Sequence, residues 1–342
     1  MKKNKGFPSE LRHDLVSGNW VIIAKGRARK PGSFKKKRIQ SDMKEKDCPF
    51  CNIETQLPPI LIYTDKGRVS INGKVPKNWA FVVIPNKYPA LLPSTTLNKR
   101  EEGDLFQTLD AVGHCELIIS RDHKRNIPDF NVKEIEVLIN VCQKRYLDLM
   151  QKPFVDYISI FQNYGVEAGA SQPHPHLQII TTPLIDVDLI GSLANAKKYF
   201  EKKKKCIYCE IIEWEKKNKK RVVYENSHFI AICPFASKTA FQVIISPKKH
   251  LSNFEKINEE EKSSLANMTF VISKVLNKGL SDPAYNFYLH TAPCDGKDHS
   301  YYHWHWTILP RTSNLAGFEL GTHMEISTIE PEKAAKYLRS YL

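Results

Sequence analysis

Residues 174–180 read HPHLQII and residues 303–309 read HWHWTIL. Both open on a His-x-His step and run on into apolar residues of strand length. Working outward from this pair, three further segments repeat in the same order. ELIISRDH at 116–123 is echoed by QVIISPKKH at 242–250, AFVVIPNKYPAL at 80–91 by HFIAICPFASKT at 228–239, and CPFC at 48–51 by CIYC at 206–209. His123 and His174 stand 51 positions apart, and His250 and His303 stand 53 apart. The Cys pair precedes the first His by 72 positions in one copy and 41 in the other, so the first copy carries an insertion. The chain therefore reads as one unit duplicated and fused, residues 1–190 and 191–342. The stretch PLIDVDLIGSLANAKKYFEKKKK, centred on 185–203, reads as a connecting helix that ends in a solvated Lys run.

Short runs rich in Val, Ile and Phe predict strands at 20–24, 81–84, 117–119, 157–162 and 177–181. Helical spacing predicts helices at 132–150, with Ile135, Leu138, Ile139, Cys142, Tyr146 and Leu149 on one face, and at 259–280. Each copy is then an α+β unit, an antiparallel sheet with helices packed on one face. The length of 342 residues is enough for two cores.

Composition narrows the class. Aromatic residues make up 10% of the chain, which argues against disorder, and no apolar run approaches the length of a membrane span. No apolar segment follows the basic start, so a secretory signal is not expected and the cytoplasm is the default compartment. In that reducing setting eight cysteines point to metal binding or catalysis rather than to a disulfide framework. The net charge of +14 fits either nucleic acid or a Lys-rich surface around a site for small phosphorylated anions.

Cys48, Cys51, His123 and His174 form one Cys2His2 set, and Cys206, Cys209, His250 and His303 a second. Zn2+ favours four such ligands in a tetrahedron, and a Cys-x-x-Cys turn offers two thiolates to one ion. Four protein ligands leave no open position, so two structural Zn2+ ions are expected. Cys115, Cys142, Cys233 and Cys294 lack close partners in sequence and read as buried small hydrophobes.

The densest chemistry lies in FQNYGVEAGASQPHPHLQII at 161–180. Asn163, Gly165, Gly169, Ala170 and Ser171 make a permissive segment whose backbone N–H groups can approach an anion. It leads straight into His174, His176 and Gln178, which share one face of an extended strand. Pro175 removes a ladder donor and suits an edge or site-lining position. With His174 held by metal, His176 is fixed beside the loop as a nucleophile for phosphorus, and Gln178 can donate to phosphoryl oxygens without titrating.

NYGVEAGASQPHPHLQ, with RARKP at 27–31, PNKYPAL at 85–91 and LAGFELGT at 315–322, resembles the hexose-1-phosphate (galactose-1-phosphate) uridylyltransferase family over almost the whole chain. Members of that family resemble fused histidine-triad units, in agreement with the repeat. The resemblance implies a ping-pong reaction in which UMP passes from UDP-glucose to His176 and then to a hexose 1-phosphate, with a homodimer as the assembly. It implies His176 as nucleophile, Gln178 on the nucleotidyl phosphate, Asn163 and Ser171 on phosphates, Arg27 on the diphosphate, Asn86 on the nucleotide, and Phe318 and Glu319 facing the sugar. Lys30 stands where the family has a second arginine, a point charge in place of a fork. The second Cys2His2 set resembles the ADP-glucose phosphorylase branch, which makes adenylyl transfer to phosphate the alternative. A zinc-containing nucleic-acid-binding protein is the remote alternative. Finger modules place their His pair about a dozen residues after the Cys pair, and no aromatics interleave the lysines as stacking platforms. In the second copy His305 takes the place of His176, but Thr307 replaces Gln178 and HTAPCDGKDHSYY replaces the loop.

Overall fold

The computed structural model describes residues 9–35, 43–71, 75–314 and 316–342. Residues 36–42, which follow the RARKP segment, and Leu315 of the LAGFELGT segment lie outside them.

The first half carries β1 (Glu10–His13), β2 (Trp20–Ile23), β3 (Leu61–Thr64), β4 (Gly67–Val69), β5 (Trp79–Pro85), β6 (Lys99–Glu102), β7 (Phe106–Leu109) and β8 (Cys115–Ser120). Helix α1 (Val132–Leu149), β9 (Tyr157–Tyr164) and β10 (His176–Thr182) complete it. After α2 (Val187–Lys203) and α3 (Ile207–Asn218) come β11 (Val222–Glu225), β12 (Phe229–Ile232) and β13 (Val243–Pro247). Then follow α4 (Glu259–Leu280), β14 (Tyr285–His290), β15 (His305–Pro310), α5 (Gly317–Thr322), β16 (Ile326–Ser327) and α6 (Pro331–Arg339).

Eleven strands form one antiparallel sheet in the order β11-β12-β13-β15-β14-β9-β10-β8-β5-β3-β4. Outward from the β14/β9 seam the two halves present the same succession of repeat segments. The two sheets expected from the sequence are thus one sheet, because each copy leaves an open edge whose N–H and C=O groups need partners and the other copy supplies them. Asn286 lies opposite Asn163 and Tyr288 opposite Phe161 across the seam.

The strand alternation assigns the two faces. Ile158, Ile160, Leu177 and Ile179 of the first half join Phe287, Leu289, Trp306 and Ile308 of the second in one buried cluster with α1 and α4. Helix α1 begins at a capping box, Asn131 accepting from the Glu134 N–H, and buries the six residues predicted for its inner face. Helix α4 starts the same way with Asn258 and Glu261. A bidentate pair ties α1 to β8: Arg145 Nε and Nη2 reach the two Glu116 oxygens at 2.8 and 2.7 Å, with both side chains buried.

Strand 20–24 was expected within the first unit's sheet. It forms β2 instead in a separate three-stranded sheet, antiparallel to β1 and parallel to the C-terminal β16. A short apolar run carries no record of its partner. Here Arg12 of β1, paired with Glu332 of α6 at 3.0 Å, joins the chain's two ends. Strand β10 is interior, lying between β9 and β8, so Pro175 is not on an edge. It precedes the first strand residue, where its missing donor costs no ladder bond, and its carbonyl accepts from Ser120 Oγ at 3.4 Å. Among the described residues no helix is long and apolar enough to cross a membrane.

Candidate active site and metal centres

The two Cys2His2 sets converge as expected. In each, the four ligand atoms lie within 4.8 Å of one another. Cys51 Sγ is 3.2 Å from His123 Nδ1 and 3.5 Å from His174 Nδ1, and Cys48 Sγ is 3.5 Å from His174 Nδ1. In the second set Cys209 Sγ is 3.4 Å from His250 Nδ1 and 3.5 Å from His303 Nδ1. All four imidazoles are held the same way. Each Nε2–H donates to a backbone carbonyl: His123 to Met43 at 3.0 Å, His174 to Ser120 at 2.7 Å, His250 to Ser300 at 2.6 Å and His303 to Pro247 at 2.9 Å. That fixes the tautomer and turns four Nδ1 lone pairs toward the thiols, the outer arrangement of a metal-ligating histidine.

The thiols carry the same message. Burial and the neighbouring Cys48 push the Cys51 thiol up to about 12, and Cys206 raises Cys209 in turn, its burial adding to the effect. Two thiolates so close ionise together only with a cation between them. Both groups can therefore hold a metal ion.

His176 opens β10, buried beside the first group. Its Nδ1–H donates to the His174 carbonyl at 2.9 Å, so Nε2 carries the free lone pair. Desolvation lowers its pKa, which favours the neutral ring. The Phe50 ring stands edge-on to both histidines, its centroid 5.1 Å from that of His176 and 5.8 Å from that of His174. His305 repeats the arrangement with Nδ1 on the His303 carbonyl at 3.2 Å and Tyr208 at 5.6 Å. Burial depresses His305 to about 4.

The segment before His176 folds as a tight turn over Val166–Ala168, entered at Gly165 (φ 86°) and left at Gly169 (φ 84°), a region of backbone space that glycine occupies freely. Gln178 shares the His176 face, opposite Phe161 of β9. Asn163, at the end of β9, accepts from Asn286 at 2.8 Å. Ser171 is exposed on the loop, and Asn86 sits just beyond β5 with its side-chain Oδ1 accepting from the Tyr88 N–H at 3.0 Å. Arg27 and Lys30 are exposed on the short turns after β2. Phe318 and Glu319 are not drawn into this group. They lie on the exposed α5, where Glu319 accepts from the Ala316 N–H at 3.1 Å, and no hydrogen bond, ion pair or ring contact among the described residues joins α5 to β10.

A cleft of about 1470 Å3 runs over the polar face of the second half. His305, Tyr288 and Arg311 line it, as do Tyr157, Ser159, Phe161 and Asn163 of β9 from the first half. His176 is not among the lining residues. The sequence reading missed Phe50, Asn286 and Arg311. Phe50 had a signal, since both Cys-x-x-Cys steps hold an aromatic residue in third place. Asn286 had none, because only strand pairing brings it to Asn163.

Residues 2–185 match the profile of the galactose-1-phosphate uridyl transferase N-terminal domain, and residues 118–341 match a domain of unknown function. The chain belongs to the galactose-1-phosphate uridylyltransferase family. Among its relatives, an ADP-glucose phosphorylase of Arabidopsis thaliana is 33% identical over 336 residues, covering 96% of this chain and 92% of its own. A galactose-1-phosphate uridylyltransferase of Thermotoga maritima is 31% identical over 342 residues, covering 96% and 98%. The solved structure of an ADP-glucose phosphorylase from Arabidopsis thaliana with bound ADP-glucose superposes with a TM-score of 0.79 at 30% identity, over 97% of this chain and 98% of that one. Family membership thus rests on the match of residues 2–185 to the family model and on relatives that cover 96% of the chain.

Proposed function

We propose that the protein transfers UMP between UDP-glucose and a hexose 1-phosphate, galactose 1-phosphate as acceptor, through a covalent nucleotidyl-His176 intermediate. The observation that carries this reading is the His176 tautomer, with Nδ1–H on the His174 carbonyl and the lone pair therefore on Nε2. Nε2 attacks the α-phosphorus, the bond from phosphorus to the bridging oxygen breaks, and hexose 1-phosphate leaves with the electron pair. The ring becomes cationic as it is phosphorylated, and the His174 carbonyl stabilises the proton that stays on Nδ1. A second hexose 1-phosphate then attacks the same phosphorus and restores the neutral ring.

On this reading Gln178, Asn163, Ser171 and the loop N–H groups hold the phosphoryl oxygens. Gln178 carries no acid proton, which suits a leaving group that is already an anion. Arg27 and Lys30 bind the diphosphate, Asn86 the nucleotide, and Phe318 and Glu319 the sugar. The exposure of α5 in one chain fits their supply to the partner's site in a homodimer. Two zinc ions would be held by the Cys2His2 groups, the first fixing His174 and hence the carbonyl that orients His176. Residues 1–190 form the catalytic unit and 191–342 the supporting one, in a cytoplasmic protein whose eight cysteines form no disulfide. The second reading, adenylyl transfer from ADP-glucose to phosphate, is favoured by the 33% identical ADP-glucose phosphorylase.

Intact-mass measurement after incubation with UDP-glucose or ADP-glucose alone tests both. A uridylyl adduct with UDP-glucose that is absent in His176→Ala supports the first reading, and an adenylyl adduct selects the second. An adduct that persists in His176→Ala removes His176 as nucleophile.

A further inference from the structure

Asn163 does not stand alone at the loop. Its partner across the β9/β14 seam is Asn286, a residue of the second unit. Asn286 Nδ2 donates to Asn163 Oδ1 at 2.8 Å and to the Ala168 carbonyl at 2.9 Å, and its Oδ1 accepts from Arg311 Nε at 2.5 Å. The two ends of this chain fix its direction, since a guanidinium only donates and a peptide carbonyl only accepts. Asn286 therefore presents its oxygen to Arg311 and its nitrogen to the first unit. Asn163 must turn its own oxygen to Asn286, which leaves its Nδ2 directed at the loop. A Cβ placed on Gly169 would lie 4.0 Å from that nitrogen.

The loop is pressed against the same part of the second unit. A Cβ on Gly165 would meet the Ala284 Cβ at 2.7 Å, and the Ala284 carbonyl accepts from the Arg311 N–H at 2.8 Å. No ion pair joins Arg311 to a carboxylate among the described residues, so its Nε donates without competition from an acid. Asn163, Asn286 and Arg311 all border the cleft.

We infer that Asn286 and Arg311 are positioning residues, supplied by the unit without the nucleophile, that set the donor orientation of Asn163 and the shape of loop 165–171 for nucleotidyl transfer. The inference rests on the proposal that Asn163 contacts the transferred phosphate. An amide free to flip would present its oxygen to the anion for part of the time. One held by a donor-only chain offers N–H at every encounter, and such preorganisation acts on the chemical step more than on substrate binding.

The test is the single-turnover rate of adduct formation with whichever donor loads the wild type, UDP-glucose or ADP-glucose, in Asn286→Asp, Asn286→Ala, Asn163→Ala and the Asn163→Ala/Asn286→Ala pair. Asn286→Asp keeps shape and the Arg311 contact but cannot donate, so it serves where the alanine variant fails to fold. Expected is a loss of about 10- to 100-fold in rate for both Asn286 variants, with donor affinity changed less than about threefold. In the Asn163→Ala background the further loss should be under about threefold, because Asn286 acts through Asn163. Arg311→Met should give the same pattern with a smaller loss, about three- to tenfold. A wild-type rate in Asn286→Asp, or losses at 163 and 286 that multiply, overturns the inference. A wild-type rate in Asn163→Ala instead removes the phosphate contact on which it rests.

Discussion

Phe50 lies between the candidate metal ligands Cys48 and Cys51, only 5% exposed, with its ring edge-on to His174 and His176. Replacing it separates two contributions. A buried phenyl group removes about 150–250 Å2 from water, which at about 25 cal/mol per Å2 corresponds to about 4–6 kcal/mol. The extended-chain reference makes that an upper bound, so Phe50→Ala should cost about 3–5 kcal/mol. Leucine restores most of the apolar volume but forfeits two edge-to-face contacts of about 0.5–1.5 kcal/mol each, so Phe50→Leu should cost about 1–3 kcal/mol. Leucine is the sharper probe of function, because the core survives while the wall that limits the His176 ring is lost. A nucleophile free to move by about an ångström loses up to about a hundredfold in rate, and about tenfold is expected for Phe50→Leu. Urea denaturation with zinc saturating both sites measures the first effect, and single-turnover adduct formation measures the second. A Phe50→Ala variant within about 1 kcal/mol of wild type would refute the packing estimate. A Phe50→Leu variant with wild-type rate and full metal content would refute the role of the ring.

The remaining predictions concern the metal groups and the ion pairs. Metal analysis of the wild type should find two zinc ions per chain, and Cys51→Ser and Cys209→Ser should each lose one; loss of both from a single substitution would contradict two independent sites. Arg145→Met leaves the buried Glu116 carboxylate without its bidentate partner and should destabilise by about 3–5 kcal/mol, most of it recovered in Glu116→Leu/Arg145→Met. Urea midpoints of the wild type and the two variants check this. Burial alone would raise Glu332, but its own backbone bond, Arg221 and Arg12 hold it below its ordinary 4.5. Its stabilising contribution is therefore present above that value and lost as pH falls through the lower folded one. The stability difference between wild type and Glu332→Gln should hold above the ordinary 4.5 and shrink as pH falls below it; a difference that persists undiminished in acid would show that another group carries it.

By itself the sequence located the repeated segments, the two Cys/His groups that could hold a metal, the principal helices and the proposed reactive row at 174–178. These are properties of period, spacing and residue chemistry, and they survive without knowledge of what lies beside what. The inner face of α1 could be read from 3.6-residue periodicity, and His176 from its place between a candidate metal ligand and a glycine loop. Only the tertiary structure decided the rest. Strand pairing is non-local, so nothing in either repeat says that β9 and β14 meet, that β2 leaves the first unit to pair with β16, or that β10 is an interior strand. The pairing at the seam places Asn286 and Arg311 at the glycine loop, residues whose sequence neighbours give no hint of chemistry. The tautomers of His174 and His176 were likewise beyond reach, because each depends on a backbone carbonyl whose direction is set by the fold.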